Sequence, residues 1–253
     1  VQDIRKLLDR YKAQGQAGAS VRSTIAALSA TFRFGVMHAG LGRNPVRDLE
    51  RGELPSGKRQ TEPRYLSVSE VEKLLGKLSD ESRPVAAVCF YAATRISEAL
   101  ALRWSHVDFD NSTIAVPGTK TKASAAKVRL LPALAAELRA HRARQAALGF
   151  DRVKPDLFVF QTASGLRPHR RNVLRAIGSA SKRAGLVADG QEVVGAHDLR
   201  HSLAGCAFAL GLSPVEVSKT LRHANAQVTL TVYAGLAESA ALAAGDKLAK
   251  AFG

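Results

Sequence analysis

The 253-residue chain has little of what disulfide frameworks and membrane spans require. Cysteine occurs only at positions 89 and 206, and each lies in an apolar run, which indicates buried thiols in a reducing compartment. The sequence has no run of 18 apolar residues, so it predicts no membrane span, and we expect no signal peptide. These absences point away from a disulfide-rich secreted protein and from an integral membrane protein.

Acidic residues are also scarce. The chain has 22 Asp and Glu against 37 Lys and Arg, a net charge of +15. Such an excess favours a polyanionic partner, most often nucleic acid, although a soluble protein with a merely basic surface is the alternative. An anionic membrane is less favoured because no basic segment has a clean apolar helical face. The hydrophobic content of 46% predicts a packed core and excludes a disordered tail.

Periodicity divides the chain into two folded regions. Residues 1–50 predict helices, with Ser20 as the cap of the second one. Residues 51–64 are rich in Gly, Pro, Ser and charge and lack periodicity, which predicts an interdomain linker. The second region, 65–253, opens with a capping box from Ser67 to Glu70.

The second region is predicted to be mainly helical with a small three-stranded antiparallel sheet, an α+β arrangement. A single helical run is expected over about 83–102. Short strands are predicted at 107–109, 113–116 and 128–131. The later helices are predicted at 132–148, 170–184, 197–211, 214–222, 226–233 and 236–252.

Three imidazoles, a guanidinium and a phenol fall within 37 residues near the end of the chain. His197 and Arg200 lie three apart at a predicted helix start, so they are expected to share one face. Two donors on one face suit phosphate oxygens, and the planar guanidinium can bind them bidentately. Tyr233 could attack phosphorus and split one transfer into two steps, although a lone tyrosine is more often a packing residue.

Two further cations, Arg95 and Lys120, could have either a structural or a functional role. Arg95 lies in an apolar stretch predicted as helix, where a cation needs a partner or a ligand, and Glu98 at i+3 could be that partner. Such a pair could also hold the arginine in place for a ligand. Lys120 lies on the predicted loop between the second and third strands. It could reach a substrate or be simply solvated, and Lys122 and Lys127 compete with it.

Taken in order, these segments resemble the tyrosine recombinases of the phage-integrase family, which includes Xer-type and Cre-type enzymes. The resemblance covers about residues 64–240. It rests on five separated motifs in order: Thr94-Arg95-Ile96-Ser97-Glu98-Ala99-Leu100, Thr119-Lys120-Thr121-Lys122, His197-Asp198-Leu199-Arg200-His201, Leu221-Arg222-His223 and Thr231-Val232-Tyr233.

The resemblance implies an active site. Arg95 and Arg200 would bind the scissile phosphate, and His223 would donate a hydrogen bond to one of its oxygens. Tyr233 would be the nucleophile and leave a 3′-phosphotyrosine link. Two further roles complete the set: His197 would help to take the tyrosine proton, and Lys120 would protonate the departing 5′ oxygen. With this much cationic charge, neither a metal nor another cofactor is expected.

The resemblance also implies partners. These are double-stranded DNA at a recombination site and a homotetramer on synapsed DNA, with the C-terminal segment docking in trans. Accessory proteins are compatible with it, a membrane is not, and the place would be the cytoplasm, at the nucleoid. Residues 1–50 resemble the C-terminal part of the family's helical core-binding domain, and residues 65–253 its catalytic domain.

The chain departs from the family pattern in two places. Many relatives have Gly shortly before the first arginine, where this chain has Ala93 and Thr94. Many have Gly before the histidine of the third motif, where this chain has Arg222. Neither change removes a catalytic group, but Arg222 adds charge beside His223.

Three other functions fit part of the pattern. His197 and His201 have the i, i+4 spacing of a zinc-binding helix, but Asp198 stands where the metalloprotease motif has Glu. A DNA-binding module without chemistry would explain the charge but has no need of the phenol of Tyr233. A type IB topoisomerase shares the proposed chemistry.

Overall fold

The computed structural model describes residues 1–50, 52–57, 64–118 and 126–222. The chain divides into two compact units, Val1–Glu62 and Pro63–Gly253. The described residues are mainly helical with one three-stranded antiparallel sheet, which confirms the predicted fold class. None of the described helices is both long enough and apolar enough to cross a bilayer.

The first unit contains two helices, α1 (Gln2–Ala13) and α2 (Gly18–His38), and one 3-10 turn, Pro45–Asp48. Its core is small; the buried apolar side chains are Ile4, Leu8, Val21 and Ile25. The predicted cap at Ser20 is wrong, because α2 begins two residues earlier and the Ala17 carbonyl accepts the Ser20 N–H. Gly18, the first residue of α2, packs closely against the Ser56 carbonyl, which a Cβ at that position would overlap.

Seven described helices lie in the second unit: α3 (Val68–Leu75), α4 (Arg83–Tyr91), α5 (Ile96–Leu100), α6 (Pro132–Leu148), α7 (Arg170–Arg183), α8 (Ala196–Ala209) and α9 (Pro214–Leu221). The predicted capping box is confirmed, with the Ser67 N–H 2.8 Å from Glu70 Oε2 and the Glu70 N–H 3.3 Å from Ser67 Oγ. The predicted bounds of α6 are confirmed as well. The helices predicted at 226–233 and 236–252 lie outside the described residues.

The sheet consists of β1 (Val107–Asp108), β2 (Thr113–Val116) and β3 (Ala126–Arg129), in that order. Ile114 pairs with Val107 on one side and with Val128 on the other. The third strand begins two residues earlier than predicted. It ends at Arg129 because the next two residues have other roles: Leu130 is buried, and Leu131 is the N-cap of α6.

The helical run predicted over 83–102 is two helices, so that prediction is wrong. Helix α4 ends at Tyr91, α5 begins at Ile96, and Ala93 between them has a left-handed backbone with φ +46°. The turn is stabilised locally by Thr94, whose hydroxyl donates to the Val88 carbonyl at 3.2 Å. The Ala93 carbonyl consequently leaves the helical hydrogen-bond pattern and becomes available to other donors.

Helix α4 lies at the centre of the second unit. All residues from Pro84 to Phe90 are buried, and the helix packs against both α6 and α8. Complete burial explains why its sequence is apolar on every side, without the polar face of a surface helix. Because α4 is fixed by this core, the turn at its C-terminal end, with Arg95, is held beside α8.

Candidate active site

Arg95 stands at the end of the turn after α4, as the N-cap residue of α5. Its Nη1 donates to Glu98 Oε1 at 2.7 Å, and its backbone N–H donates to Glu98 Oε2 at 3.0 Å. Glu98 is fully buried, whereas 42% of the Arg95 side chain remains exposed. The predicted ion pair is therefore present. It anchors Arg95 on the side that faces the interior and leaves part of the side chain open to a ligand.

Arg200 lies in α8 and is only 1% exposed. Its guanidinium donates to the backbone carbonyls of Ala93 and Leu221. A buried charge is costly unless polar groups compensate it, and these carbonyls do so. Ala93 precedes Arg95 by two residues, so this contact brings together the segments of the two predicted phosphate-binding arginines.

His197 lies in the first turn of α8 and is exposed. Its ring packs edge-on against the buried His201, with centroids 4.3 Å apart at 80°. The helix start is stabilised by Asp198, whose Oδ2 accepts the Gly195 N–H at 2.8 Å. The predicted helix start is confirmed, but His197 and Arg200 have different environments, one at the surface and one in the interior.

Across 1–50, 52–57, 64–118 and 126–222, no three or more His, Cys, Asp or Glu side chains are grouped so that they could hold a metal ion.

A fourth charged residue of the site was not predicted as functional. The Arg222 side chain is 2% exposed, and its Nη2 lies 2.8 Å from Glu98 Oε2. It also donates to the carbonyls of Ala92 at 2.8 Å and Ala93 at 3.0 Å. Burial lowers the pKa of Arg222, and the neighbouring carboxylate of Glu98 opposes that shift. The available sequence signal was its position directly before His223, where many relatives have Gly.

Ala93 and Arg222 share an unusual backbone conformation, with φ +46° and φ +54°. A side chain in the left-handed region costs roughly 1–2 kcal/mol, a cost that glycine avoids. These are the two regions where the chain departs from the family's glycine. Hydrogen bonds from a charged group contribute about 1.5–3 kcal/mol each, so the guanidinium contacts at the Ala93 carbonyl are large enough to offset the strain.

Helix α7 presents a separate cationic surface. Its apolar face is buried through Val173 and Ile177, and its opposite face exposes basic residues. Arg171, Arg175 and Lys182 lie on that face, and Arg170 and Arg183 are exposed at the two ends of the helix. No salt bridge among the described residues involves any of them, so their charge is directed to solvent.

The structure thus brings the segments of Arg95 and Arg200 together at the Ala93 carbonyl and places His197 at the start of the same helix as Arg200. The other three predicted residues lie outside the described residues: Lys120, His223 and Tyr233.

Comparisons with known proteins agree on one family. A family model described as the phage integrase family matches residues 64–239. The chain is 26% identical over 258 residues to a tyrosine recombinase of Thermosipho africanus, covering 97% of this chain and 83% of that protein. It is 27% identical over 236 residues to tyrosine recombinase XerD of Rhizobium meliloti, covering 90% and 73%.

A solved structure shows the same fold. The Tn1549 transposon integrase, in complex with circular intermediate DNA, superposes with a TM-score of 0.75 at 17% identity. The match covers 98% of this chain and 86% of that one.

Proposed function

Because the chain belongs to the phage integrase family, the family of the tyrosine recombinases, we propose that it is a site-specific DNA recombinase. It cuts and rejoins DNA through a covalent 3′-phosphotyrosine intermediate and a Holliday junction. The observation that carries this proposal is the contact between Arg200 and the Ala93 carbonyl. It joins two arginine motifs that are separated by about a hundred residues and that the reaction needs at one phosphate.

In this proposal Arg95 and Arg200 bind the scissile phosphate, and His223 donates to one of its oxygens. Glu98 fixes Arg95 in advance while part of its side chain stays exposed, so Arg95 needs little reorganisation when charge develops in the transition state. Backbone carbonyls hold the buried Arg200, whose guanidinium must be uncovered when the phosphate binds. Removing one such donor typically costs about 10²–10³ in rate. The same cations supply the charge for which many phosphoryl-transfer enzymes use Mg²⁺, so the proposed mechanism includes no metal and no high-energy cofactor.

The nucleophile is Tyr233, one of four tyrosines in the chain. Tyr11 packs against the core of the first unit, and Tyr65 packs against a core cluster of the second. Burial raises the pKa of the Tyr91 phenol, which makes that residue a poorer nucleophile. Only Tyr233 has the position in the motif order that the family's nucleophile occupies.

Two groups move protons in the proposed reaction. His197 helps to take the proton of the Tyr233 phenol as it attacks phosphorus, and its exposed position at the start of α8 leaves it accessible to substrate. Lys120 protonates the 5′ oxygen that departs. The attack conserves the energy of the DNA bond, so a second DNA alcohol can reverse it without an external energy source.

The partner is double-stranded DNA, and the place of action is the cytoplasm, at the nucleoid. The net charge of +15 and the solved relative in complex with circular intermediate DNA support this partner. Residues 1–50 act as the C-terminal part of a core-binding domain, 51–64 as the linker and 65–253 as the catalytic domain.

The test is a cleavage assay on nicked suicide DNA substrates drawn from candidate recombination sites. The wild-type chain is expected to form a covalent protein–DNA adduct, and Tyr233→Phe is expected to bind the same DNA without forming one. An adduct that still forms with Tyr233→Phe would refute the assignment of the nucleophile.

A chelator separates this proposal from a zinc hydrolase built on His197 and His201. Adduct formation is expected to be the same with and without EDTA. Loss of cleavage in EDTA that zinc restores would contradict the recombinase mechanism.

We also propose that the chain works as a homotetramer, with accessory proteins allowed, and that its C-terminal segment docks on a neighbouring protomer. Deleting residues 240–253 is then expected to leave cleavage more intact than synapsis. Equal loss of both activities would count against docking in trans.

A further inference from the structure

Glu98 connects two arginines that lie far apart in the sequence of the second unit. Its Oε1 accepts Arg95 Nη1 at 2.7 Å, and its Oε2 accepts Arg222 Nη2 at 2.8 Å. Both Glu98 and Arg222 are buried, whereas Arg95 is partly exposed. The Glu98 carboxylate therefore links the buried guanidinium of Arg222 to the partly exposed guanidinium of Arg95, so the position of Arg95 depends on Arg222.

The charges of this trio do not cancel. One carboxylate lies between two guanidiniums, which leaves a net charge of +1 on Arg95, Glu98 and Arg222 together. Without Arg222, Glu98 would neutralise Arg95 alone. A neutral pair attracts a phosphate much less than a net cation does, because the carboxylate would repel the same oxygens that the guanidinium binds.

Arg222 also fixes the backbone that presents Arg95. It donates to the carbonyls of Ala92 and Ala93, which form the turn between α4 and α5. Its own left-handed conformation, with φ +54°, favours glycine, yet the chain has the bulkiest basic side chain there. Arg222 has a backbone conformation that disfavours a side chain, and it donates to three acceptors. Together these observations indicate a role for its side chain.

We propose that Arg222 is a positioning residue for Arg95: it holds Glu98 and the Ala92–Ala93 turn, and it leaves a net positive charge on Arg95, Glu98 and Arg222 together, toward the scissile phosphate. It touches no substrate and acts through Arg95, because Arg200, which shares the Ala93 carbonyl with it, is also held by the Leu221 carbonyl. The inference rests on the proposed function, since Arg95 must bind the phosphate for its position to matter.

The first test compares Arg222→Met and Arg222→Lys with the wild type in single-turnover cleavage of a nicked suicide substrate. Arg222→Met is expected to cleave about 10²-fold more slowly, the loss typical of a disturbed preorganised donor. Arg222→Lys, which keeps the charge but not the fork, is expected to recover part of the rate. DNA affinity is expected to stay within about threefold, because Arg222 is buried.

A matched control is Arg152→Met. Arg152 also donates to backbone carbonyls, those of Thr162 and Ala163, but has no contact with Glu98. The Arg152→Met variant is expected to cleave at the wild-type rate. Circular dichroism at the assay temperature reports the folded fraction of each variant, and if Arg222→Met does not fold, Arg222→Lys alone decides the comparison.

The second test combines Arg222→Met with Arg95→Gln. If Arg222 acts only through Arg95, the double variant is expected to cleave within about threefold of Arg95→Gln. Losses that multiply, or a folded Arg222→Met that cleaves at the wild-type rate, would overturn the inference. A wild-type chain that forms no adduct would instead refute the proposed function, so the two failures are distinguishable.

Discussion

Two buried arginines, Arg200 in α8 and Arg222 at the end of α9, have different surroundings from the exposed arginines of α7. Arg200 and Arg222 are almost fully buried, and backbone carbonyls or a carboxylate accept from their guanidiniums. Arg171 and Arg175 are exposed and make no salt bridge within the described residues. Both sets are positive, but only the first is held in one orientation.

Because of this difference, we expect the buried arginines to determine the cleavage rate and the exposed arginines to determine the affinity for DNA. A fixed guanidinium stabilises the transition state because it needs no reorganisation when charge develops. An exposed one contributes mainly by releasing counterions from DNA, a contribution that does not depend on orientation. We therefore expect substitutions in the buried set to change cleavage and substitutions in the exposed set to change binding.

The largest effect is expected for Arg200→Lys. Lysine keeps the charge but cannot donate to both the Ala93 and Leu221 carbonyls with a rigid fork. Single-turnover cleavage should fall by about 10²–10³, while DNA affinity changes little. A gel-based cleavage assay and a binding titration on the same DNA check this, and an equal fall in both quantities would break the comparison.

A smaller effect is expected for the double variant Arg171→Ala/Arg175→Ala. Each lost phosphate contact should reduce the slope of log affinity against log salt by about 0.9, so two contacts reduce it by about 1.8. Cleavage at saturating protein should remain near the wild-type rate. Binding titrations from 50 to 300 mM salt measure the slope, with Lys154→Ala, which removes an exposed lysine paired with Asp151, as the control. An unchanged slope would show that α7 does not face the DNA.

The smallest effect is expected for Ala93→Gly. Glycine removes the strain of φ +46° but also loses a fully buried methyl group and gains freedom in the unfolded chain. These contributions nearly cancel, so the free energy of unfolding should change by less than about 1 kcal/mol. Denaturant unfolding checks it. Ala93→Val is the contrasting variant: a β-branched residue cannot adopt this conformation without large strain, and it should be clearly destabilised.

Local patterns predicted the elements whose stability is local. Helix α6 was predicted from Pro132 to Leu148 because proline favours the first turn, helical periodicity follows and glycine comes next. The capping box at Ser67 was predicted because its two hydrogen bonds join residues three apart. Neither element needs a distant partner to set its bounds.

The break before Arg95 could not be predicted in the same way. Alanine is a strong helix former, and the stretch around Ala92 and Ala93 is apolar, so sequence favours a continuous helix. The break is stabilised by guanidiniums of Arg200 and Arg222, which are more than a hundred residues away and donate to these carbonyls. The sequence predicts the residue types and the order of the candidate site, but the geometry that joins the segments of Arg95 and Arg200 depends on tertiary contacts.

We propose that this chain attacks DNA with one tyrosine, Tyr233, beside Arg95 and Arg200. The most direct measurement is to trap the adduct on a nicked suicide substrate, digest the protein and identify the DNA-linked peptide by mass spectrometry. We expect a single linked peptide that contains Tyr233. Attachment at Tyr11, Tyr65 or Tyr91, or no adduct on any DNA that the protein binds specifically, would contradict it.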